Sequence, residues 1–326
     1  PRKERTVVEE RELVIIGAGP AGLVAGLYAS RARIDTLILD KAMPGGQAIL
    51  TDVIENFPGF PDGISGQELI DLMVKQAQKF GAEIRNFVEV EKIFLDGSRK
   101  VIKTDGEDII AQAIIVASGA GYRRLGISGE EEFIGRGVSF CATCDGAFFR
   151  DRNVLVVGGG DTALTEALFL TKFVKKLTIV HRRDQLRAVK ILQERAFNNE
   201  KIDFLWNSVP VEIKGDRSVR SVVVQNKKDG TLREIAADGV FMAIGIVPNT
   251  TFVHDLVRLD PNGYLETDDN LKTSVEGIYA AGDVRKGSLK QVVAASSDGA
   301  VAATSAGEYL DSLREQKTSK RGEVNG

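Results

Sequence analysis

Two stretches of this chain share one local design, and that repeat constrains the fold more than any other feature. Leu13-Val14-Ile15-Ile16 is a short apolar run followed by Gly17-Ala18-Gly19-Pro20-Ala21-Gly22, a helix-like stretch to about Arg31 and a second apolar run, Thr36-Leu37-Ile38-Leu39. Val154-Leu155-Val156-Val157 is likewise followed by Gly158-Gly159-Gly160-Asp161-Thr162-Ala163, a helix-like stretch to about Thr171 and the run Leu177-Thr178-Ile179-Val180. Each reads strand, G-x-G-x-x-[GA], helix, strand. In such a unit the first glycine permits a tight turn and the second lets the backbone approach a pyrophosphate. The third position must be small for the helix to pack on the strand. The diphosphate then lies at the helix N-terminus, where free N–H groups and the dipole favour negative charge. A single match can be a plain glycine-rich turn; two matches in the same strand-turn-helix context argue for two dinucleotide sites.

The ends of the second strands distinguish the sites. Asp40 lies 23 residues after Gly17, and His181 lies 23 residues after Gly158. An acidic residue at that place can bind the ribose hydroxyls of an adenosine whose 2′-OH is free. At the second site the acid is replaced by His181-Arg182-Arg183, with Arg187 expected one helical turn beyond Arg183. Guanidinium forks there suit a 2′-phosphate, so this site is expected to take NADPH. The competing reading of HRRDQLR is a solvated basic helix start.

Further turns fit this plan. Ala117-Ser118-Gly119-Ala120 follows the run Ile114–Val116, and Ala243-Ile244-Gly245 follows Val240–Met242, each reading as a strand that ends in a small-residue crossing. Beyond the second crossing, Gly277-Ile278-Tyr279-Ala280-Ala281-Gly282-Asp283 is an apolar strand ending in Gly-Asp. That carboxylate suits a ribityl hydroxyl or, equally, an ordinary turn. The expected fold is α/β with two Rossmann-like dinucleotide-binding domains. Residues 121–247 form one domain, inserted into a discontinuous domain made of 1–120 and 248–326, a division that 326 residues can fill.

Composition narrows function rather than fold. Lys+Arg (43) nearly balances Asp+Glu (46), which leaves no electrostatic footprint for nucleic acid or anionic lipid. No apolar run approaches the length of a membrane span. With only His181, His254 and two cysteines, neither a multi-histidine nor a four-thiolate metal site can be assembled, and no metal is expected. Pro1–Glu12 is charged and lacks the apolar stretch of a secretory signal, so a cytoplasmic location is the expectation. Glu315–Gly326 is polar and aperiodic and reads as a frayed, disordered tail.

Cys141-Ala142-Thr143-Cys144-Asp145 lies shortly before the second glycine motif. It can be a redox disulfide, half of a metal site, a pair of structural thiols or chance. Zinc needs further soft ligands that the chain lacks, and C-x-x-C spacing favours a thiolate, so redox chemistry is the preferred reading. A nicotinamide passes a hydride whereas a disulfide takes electrons through thiolates, so a mediator is needed, and a flavin as FAD in the first site meets that need. Asp145 can serve the departing thiolate as general acid/base, or simply cap the local turn.

At this point the sequence resembles the low-molecular-weight thioredoxin reductases of bacteria and archaea, from about residue 12 to 312. The matching segments are GAGPAG (17–22), GGQ (45–47), ENFPGF (55–60), CATCD (141–145), GGGDTA (158–163), HRRDQLR (181–187), AIGIVPNT (243–250), GIYAAGD (277–283) and KQ (290–291). The resemblance implies a homodimer with FAD held by Gly17, Gly19, Pro20, Ala21, Gly22, Asp40, Gly46, Gln47, Asn56, Val90, Gly119, Asp283, Lys290, Gln291 and Val292. It implies NADPH held by Gly158, Gly160, Asp161, Thr162, Ala163, His181, Arg182, Arg183, Arg187 and Ile244. It further implies that Cys144 lies nearer the flavin, that Cys141 attacks the disulfide of thioredoxin with Asp145 as the acid, and that the two domains alternate between two orientations. Three positions depart from the pattern common among such proteins: Thr165 stands where many carry an acid, Lys290 where Arg is often found, and Ser118 where Thr is common.

The leading expectation is thus NADPH-dependent reduction of a thioredoxin-like protein, with no nucleic-acid or membrane partner. The alternatives are a related flavoprotein with ferredoxin as donor, or with a glutaredoxin-like protein, a peroxide-reducing partner or oxygen as acceptor, and a non-enzymatic redox or nucleotide sensor. Arg136, Phe148 and Phe149 are candidate partner contacts, or else ordinary core and surface residues.

Overall fold

The computed structural model describes residues 9–51, 53–97 and 99–324. In it the run Leu13–Ile16 is buried on both faces, as a strand inside a covered parallel sheet must be. The chain divides into two compact units, Pro1–Gly121 with Val247–Gly326, and Tyr122–Ile246.

The first unit begins with β1 (Glu9–Ile16), α1 (Pro20–Arg31) and β2 (Thr36–Leu39). α2 (Gly66–Lys79) and β3 (Glu83–Arg85) follow, then β4 (Val90–Asp96), β5 (Arg99–Thr104), β6 (Ile109–Val116) and the outgoing β7 (Ala120–Tyr122). The strands lie in the order β3-β2-β1-β6-β5-β4, parallel from β3 to β6 and antiparallel from there. Leu13 and Ile15 face one apolar cluster with α1, whereas Val14 and Ile16 face another with Ile93, Ile102 and Val253. The pleat puts alternate residues on opposite faces, so one four-residue run supplies both cores. Ser65 caps the N-terminus of α2: its Oγ accepts from the Glu68 N–H at 3.1 Å.

The second unit runs through β8 (Val138–Ser139), the single turn α3 (Ala142–Asp145), β9 (Asn153–Val157), α4 (Asp161–Leu170) and β10 (Lys176–Val180). It continues with α5 (Lys190–Phe197), β11 (Ile202–Leu205), the antiparallel β12 (Ser208–Gly215), β13 (Val219–Asn226) and β14 (Leu232–Ala236), and β15 (Gly239–Met242). Its parallel sheet has the order β11-β10-β9-β15-β8. The chain leaves through β16 (Ile246–Pro248), which pairs with β7. β17 (Ile278–Ala280) then joins the first sheet beside β6, and α6 (Val292–Val324) ends the described chain.

α1 and α6 pack through small residues. A Cβ on Gly299 would lie 2.2 Å from the Ala21 carbonyl oxygen, so the helices approach to backbone contact. This anchor corrects one expectation. Residues 315–324, read as part of a frayed tail, continue α6 as helix. A packed helix extends without a new nucleation cost, and Glu315, Gln316, Lys317, Lys320 and Arg321 are good helix formers. Residues 325–326 lie outside the described residues, as do 1–8 of the charged N-terminal segment; Glu9–Glu12 already belong to β1.

An ion-pair network crosses β1 and β3. Arg85 meets Glu9 at 2.6 Å and Glu83 at 2.7 Å, while Arg11 reaches Asp35 at 2.9 Å. Arg85 first, then Arg11, hold the Glu9 carboxyl at about 2 instead of 4.5 against the opposing effect of burial. A depressed folded-state pKa gives stability that is complete above the unfolded value and lost as pH falls through the folded one. Glu9→Gln is therefore expected to lower stability above pH 4.5 and to flatten the loss between 4.5 and 2, read by denaturant unfolding across that range.

Candidate functional site

The first glycine loop separates two kinds of glycine. Gly17 has φ +107°, and a Cβ there would lie 2.3 Å from the Ala117 carbonyl oxygen, so only glycine lets the ends of β1 and β6 meet. A Cβ on Gly22 would come within 1.8 Å of the Gly17 oxygen. Gly19 is different: it is the N-cap of α1, with no side-chain cap, and a Cβ there meets nothing within 4 Å. Bare backbone at a helix start, with first-turn N–H groups uncapped, is the cradle a diphosphate needs.

Other elements gather around this cradle. Gly45 N donates to the Ala18 oxygen at 2.9 Å, and a Cβ on Gly46 would lie 3.7 Å from Gly19 Cα, so the turn leading to Gln47 lies alongside. A Cβ on Gly282 would lie 2.9 Å from Ala21 Cβ, which places the Gly282–Asp283 turn at the start of α1. Asp283 accepts from Ser288 Oγ at 3.0 Å, and burial raises its pKa. Asn56 Nδ2 donates to Gln291 Oε1 at 2.9 Å, joining segments that are remote in sequence. Lys290 adopts φ +58° and sets its ammonium 5.0 Å from the Tyr264 ring centroid, just ahead of Val292 at the head of α6.

Asp40 is turned onto its own loop. Its Oδ2 accepts from the Ala18 N–H at 2.6 Å and its Oδ1 from the Ala42 N–H at 2.9 Å. The Asp40 carbonyl also accepts from Val88 N at 2.9 Å, which ties in the strand that begins at Val90. Gly119, at φ +66°, gives its carbonyl to the Asn249 N–H at 3.0 Å. Sequence reasoning missed Arg285 and Asp298. The 8 % exposed Asp298 accepts from Arg285 Nη2 at 2.9 Å and from the Gly282 N–H at 3.0 Å, fixing the Gly282–Asp283 turn. The only sequence signal was an acid in an otherwise small-residue helix.

The second loop repeats the geometry. Gly158 N donates to the Val180 oxygen at 3.1 Å, and a Cβ on Gly158 would lie 2.5 Å from the Ala243 oxygen and 2.7 Å from Ala163 Cβ. Ala163 therefore sits where a small residue is obligatory. Gly160 caps α4 without a side chain and opens onto free space, like Gly19. Asp161 Oδ1 accepts from Val189 N at 2.7 Å, while Thr162 is exposed on the first turn and Ile244 packs half-buried after β15.

His181 lies beneath this loop rather than on it. It is 3 % exposed, its Nε2 faces the Gln185 oxygen at 3.0 Å, and a Cβ on Gly159 would strike its ring at 2.3 Å. Burial lowers its pKa. The expected helical turn between Arg183 and Arg187 is absent. Residues 181–189 are irregular and α5 starts only at Lys190, because the segment is tied back by the Arg187 N–H to the Gly159 oxygen at 2.7 Å and by burial of Leu186. Arg182, Arg183 and Arg187 are left exposed beside the loop.

Cys141 and Cys144 form a disulfide with a Cα separation of 5.3 Å. Cys141 is the N-cap of α3, and its Sγ accepts from the Cys144 N–H at 3.2 Å. Asp145 does not cap α3; it stands at the N-cap position of the following turn, Gly146–Phe149, without a side-chain cap bond. It ends α3 and accepts from Ser139 Oγ at 2.6 Å, while the same hydroxyl accepts from the Cys141 N–H at 3.1 Å. Ser139, which the sequence did not single out, thus couples the acid to the cysteine backbone. Of the aromatic pair that follows, Phe149 stacks edge-on against Phe241 in the core at 5.1 Å, whereas Phe148 is half exposed and Arg136 is exposed.

Comparison with known proteins agrees over nearly the whole length. The pyridine nucleotide-disulphide oxidoreductase family profile matches residues 11–299. A thioredoxin reductase of Peptoclostridium acidaminophilum is 48% identical over 311 residues, 94% of this chain and 98% of its own. The crystal structure of thioredoxin reductase from Streptococcus pyogenes superposes with a TM-score of 0.89 at 48% identity, over 93% of this chain and 99% of that one. Thioredoxin reductase from Giardia duodenalis gives 0.87 at 38% identity, over 93% and 99%. With both cradles and a closed C-x-x-C disulfide in place, the chain belongs to the pyridine nucleotide-disulphide oxidoreductase family, in its low-molecular-weight thioredoxin reductase branch.

Proposed function

We propose that this oxidoreductase draws on NADPH to reduce the disulfide of thioredoxin by thiol–disulfide exchange at Cys141 and Cys144. The family uses FAD and NADPH, which when bound supply a hydride and its conversion to the electron pair that a disulfide takes. The uncapped cradle at Gly17, Gly19, Pro20, Ala21 and Gly22 fits the FAD diphosphate. Asp40, Gly46, Gln47, Asn56, Val90, Gly119, Asp283, Lys290, Gln291 and Val292 complete that site. Gly158, Gly160, Asp161, Thr162 and Ala163 fit the NADPH diphosphate, with Ile244 nearby and Arg182, Arg183 and Arg187 for the 2′-phosphate. His181 supports the loop from below.

Cys141 is the attacking thiolate. Its place at the N-cap, with a backbone N–H directed at Sγ, favours the ionised form. Attack on the partner disulfide forms a mixed disulfide and releases one partner thiolate, which Asp145 protonates. Cys144 then gives its thiol proton to the Asp145 carboxylate, attacks Cys141 Sγ and displaces the partner, whose second sulfur takes a proton from solvent, so that it leaves as the dithiol while Cys141–Cys144 closes again. The observation that carries this reading is a closed C-x-x-C disulfide in the same unit as a glycine loop flanked by three exposed guanidinium groups.

Stopped-flow and steady-state assays with both nicotinamides test it. The double variant Arg183→Ala/Arg187→Ala is expected to raise KM for NADPH about tenfold to a hundredfold while leaving NADH kinetics unchanged, because two charge-assisted contacts are lost. Equal use of NADH and NADPH by the unaltered protein would overturn the phosphate-reading assignment. The same family reading carries the proposal that the chain works as a cytoplasmic homodimer, which sedimentation of the holoenzyme checks. No helix among the described residues is long and apolar enough to cross a membrane.

A further inference from the structure

Glu166 is a half-buried acid that the exchange chemistry leaves unused. It lies on α4, which packs against α3, the turn that carries the cysteines. The Ala142 N–H, one peptide from Cys141, acts electrostatically on its carboxyl, and its Oε2 is buried with no hydrogen-bond partner among the described residues. A carboxylate held by one N–H with the other oxygen orphaned is poorly solvated, so a proton on it is favoured. Burial pushes its pKa up to about 7, opposed only by the Ala142 N–H. The elements around α4 carry Cys144 and Asp145 on α3, Lys190, Glu194 and Arg195 on α5, and Lys176 on β10.

We infer that Glu166 positions the redox turn through the Ala142 N–H and takes up one proton when the Cys141–Cys144 disulfide is reduced. The inference rests on reading that pair as the redox centre. Reduction breaks the S–S bond with two electrons; one sulfur takes a proton and the other remains a thiolate. A second proton, from solvent, goes to the Glu166 carboxylate. Glu166 and the two sulfurs together then carry one negative charge before and after, Asp145 keeping its proton for the exchange step, which avoids a thiolate and a carboxylate side by side in a poorly solvated place. When the dithiol is reoxidised by its partner, that proton is released.

Reduced-minus-oxidised infrared spectra of the flavin-loaded protein at about pH 8, above the carboxyl's resting pKa, test the inference, with thiols counted on the same samples. The expected result is that two thiols appear in both the unaltered protein and Glu166→Gln, while a protonated-carboxyl band grows only in the former. The pH profile of cysteine alkylation in the reduced protein is expected to show two inflections, and one in Glu166→Gln. Gln has the same size and offers an amide oxygen to the Ala142 N–H, so the fold is kept, and unchanged NADPH binding by the second unit verifies it. A missing band in the unaltered protein, or a band that persists in Glu166→Gln, would overturn the proton role. Failure of two thiols to appear in the unaltered protein would instead bring down the redox reading itself.

Discussion

Cys141→Ser is expected to lower NADPH-driven reduction of thioredoxin by about a thousandfold or more, because a hydroxyl at this position can neither attack a disulfide at neutral pH nor close one. The fold and the flavin should be untouched. Cys141 sits at an N-cap where its Sγ accepts the Cys144 N–H, and serine is among the best residues at that position. Cys144→Ser is expected to lose turnover to the same degree for a different reason. It leaves the Cys141 thiol free to attack but removes the thiol that resolves the product, so a mixed disulfide with the partner accumulates. A non-reducing gel after incubation with oxidised thioredoxin separates the two. If Cys141→Ser traps the partner and Cys144→Ser does not, the assigned roles are reversed.

Gly17→Ala and Gly19→Ala are expected to part company although only one residue lies between them. At Gly17 the new methyl would have to fit 2.3 Å from the Ala117 oxygen at φ +107°, so the ends of β1 and β6 must separate. The expected loss is about 3 kcal/mol or more, read by denaturant unfolding of the apoprotein. At Gly19 the backbone is extended, φ −76° and ψ −176°, and a Cβ touches nothing. The apoprotein should therefore unfold like the unaltered one. FAD affinity should nonetheless fall about a hundredfold, since the methyl occupies the approach of the diphosphate to the helix N-terminus. Normal flavin binding by Gly19→Ala would place the cofactor elsewhere.

Much of this is legible in the amino-acid order alone. Two identical spacings of glycine after an apolar run specify strand, turn and helix through purely local physics, because only glycine tolerates φ +107° at Gly17 and only a small residue fits at Ala163. The C-x-x-C pair is equally local, since three residues of separation in a single turn bring the sulfurs within bonding range. The helical turn expected between Arg183 and Arg187 is absent because nothing in the sequence shows the long-range bond from the Arg187 N–H to Gly159 that holds the segment irregular. Residues 315–324 misled in the opposite direction: aperiodic polarity predicts fraying, but a helix already anchored on α1 extends at little cost.

What the sequence by itself determined is the chemistry on offer: two phosphate cradles, one exchangeable disulfide, and basic residues beside the second cradle. What only the tertiary structure decided is which groups stand behind that chemistry. Asp298 holds the Gly282–Asp283 turn, Ser139 links Asp145 to Cys141, His181 supports the second glycine loop from below, and Glu166 reaches the Ala142 N–H from a neighbouring helix. Motifs are short because tight turns and neighbouring thiols are short-range constraints. Supporting contacts join residues far apart in the chain, and burial, which sets their protonation, exists only once the chain is packed.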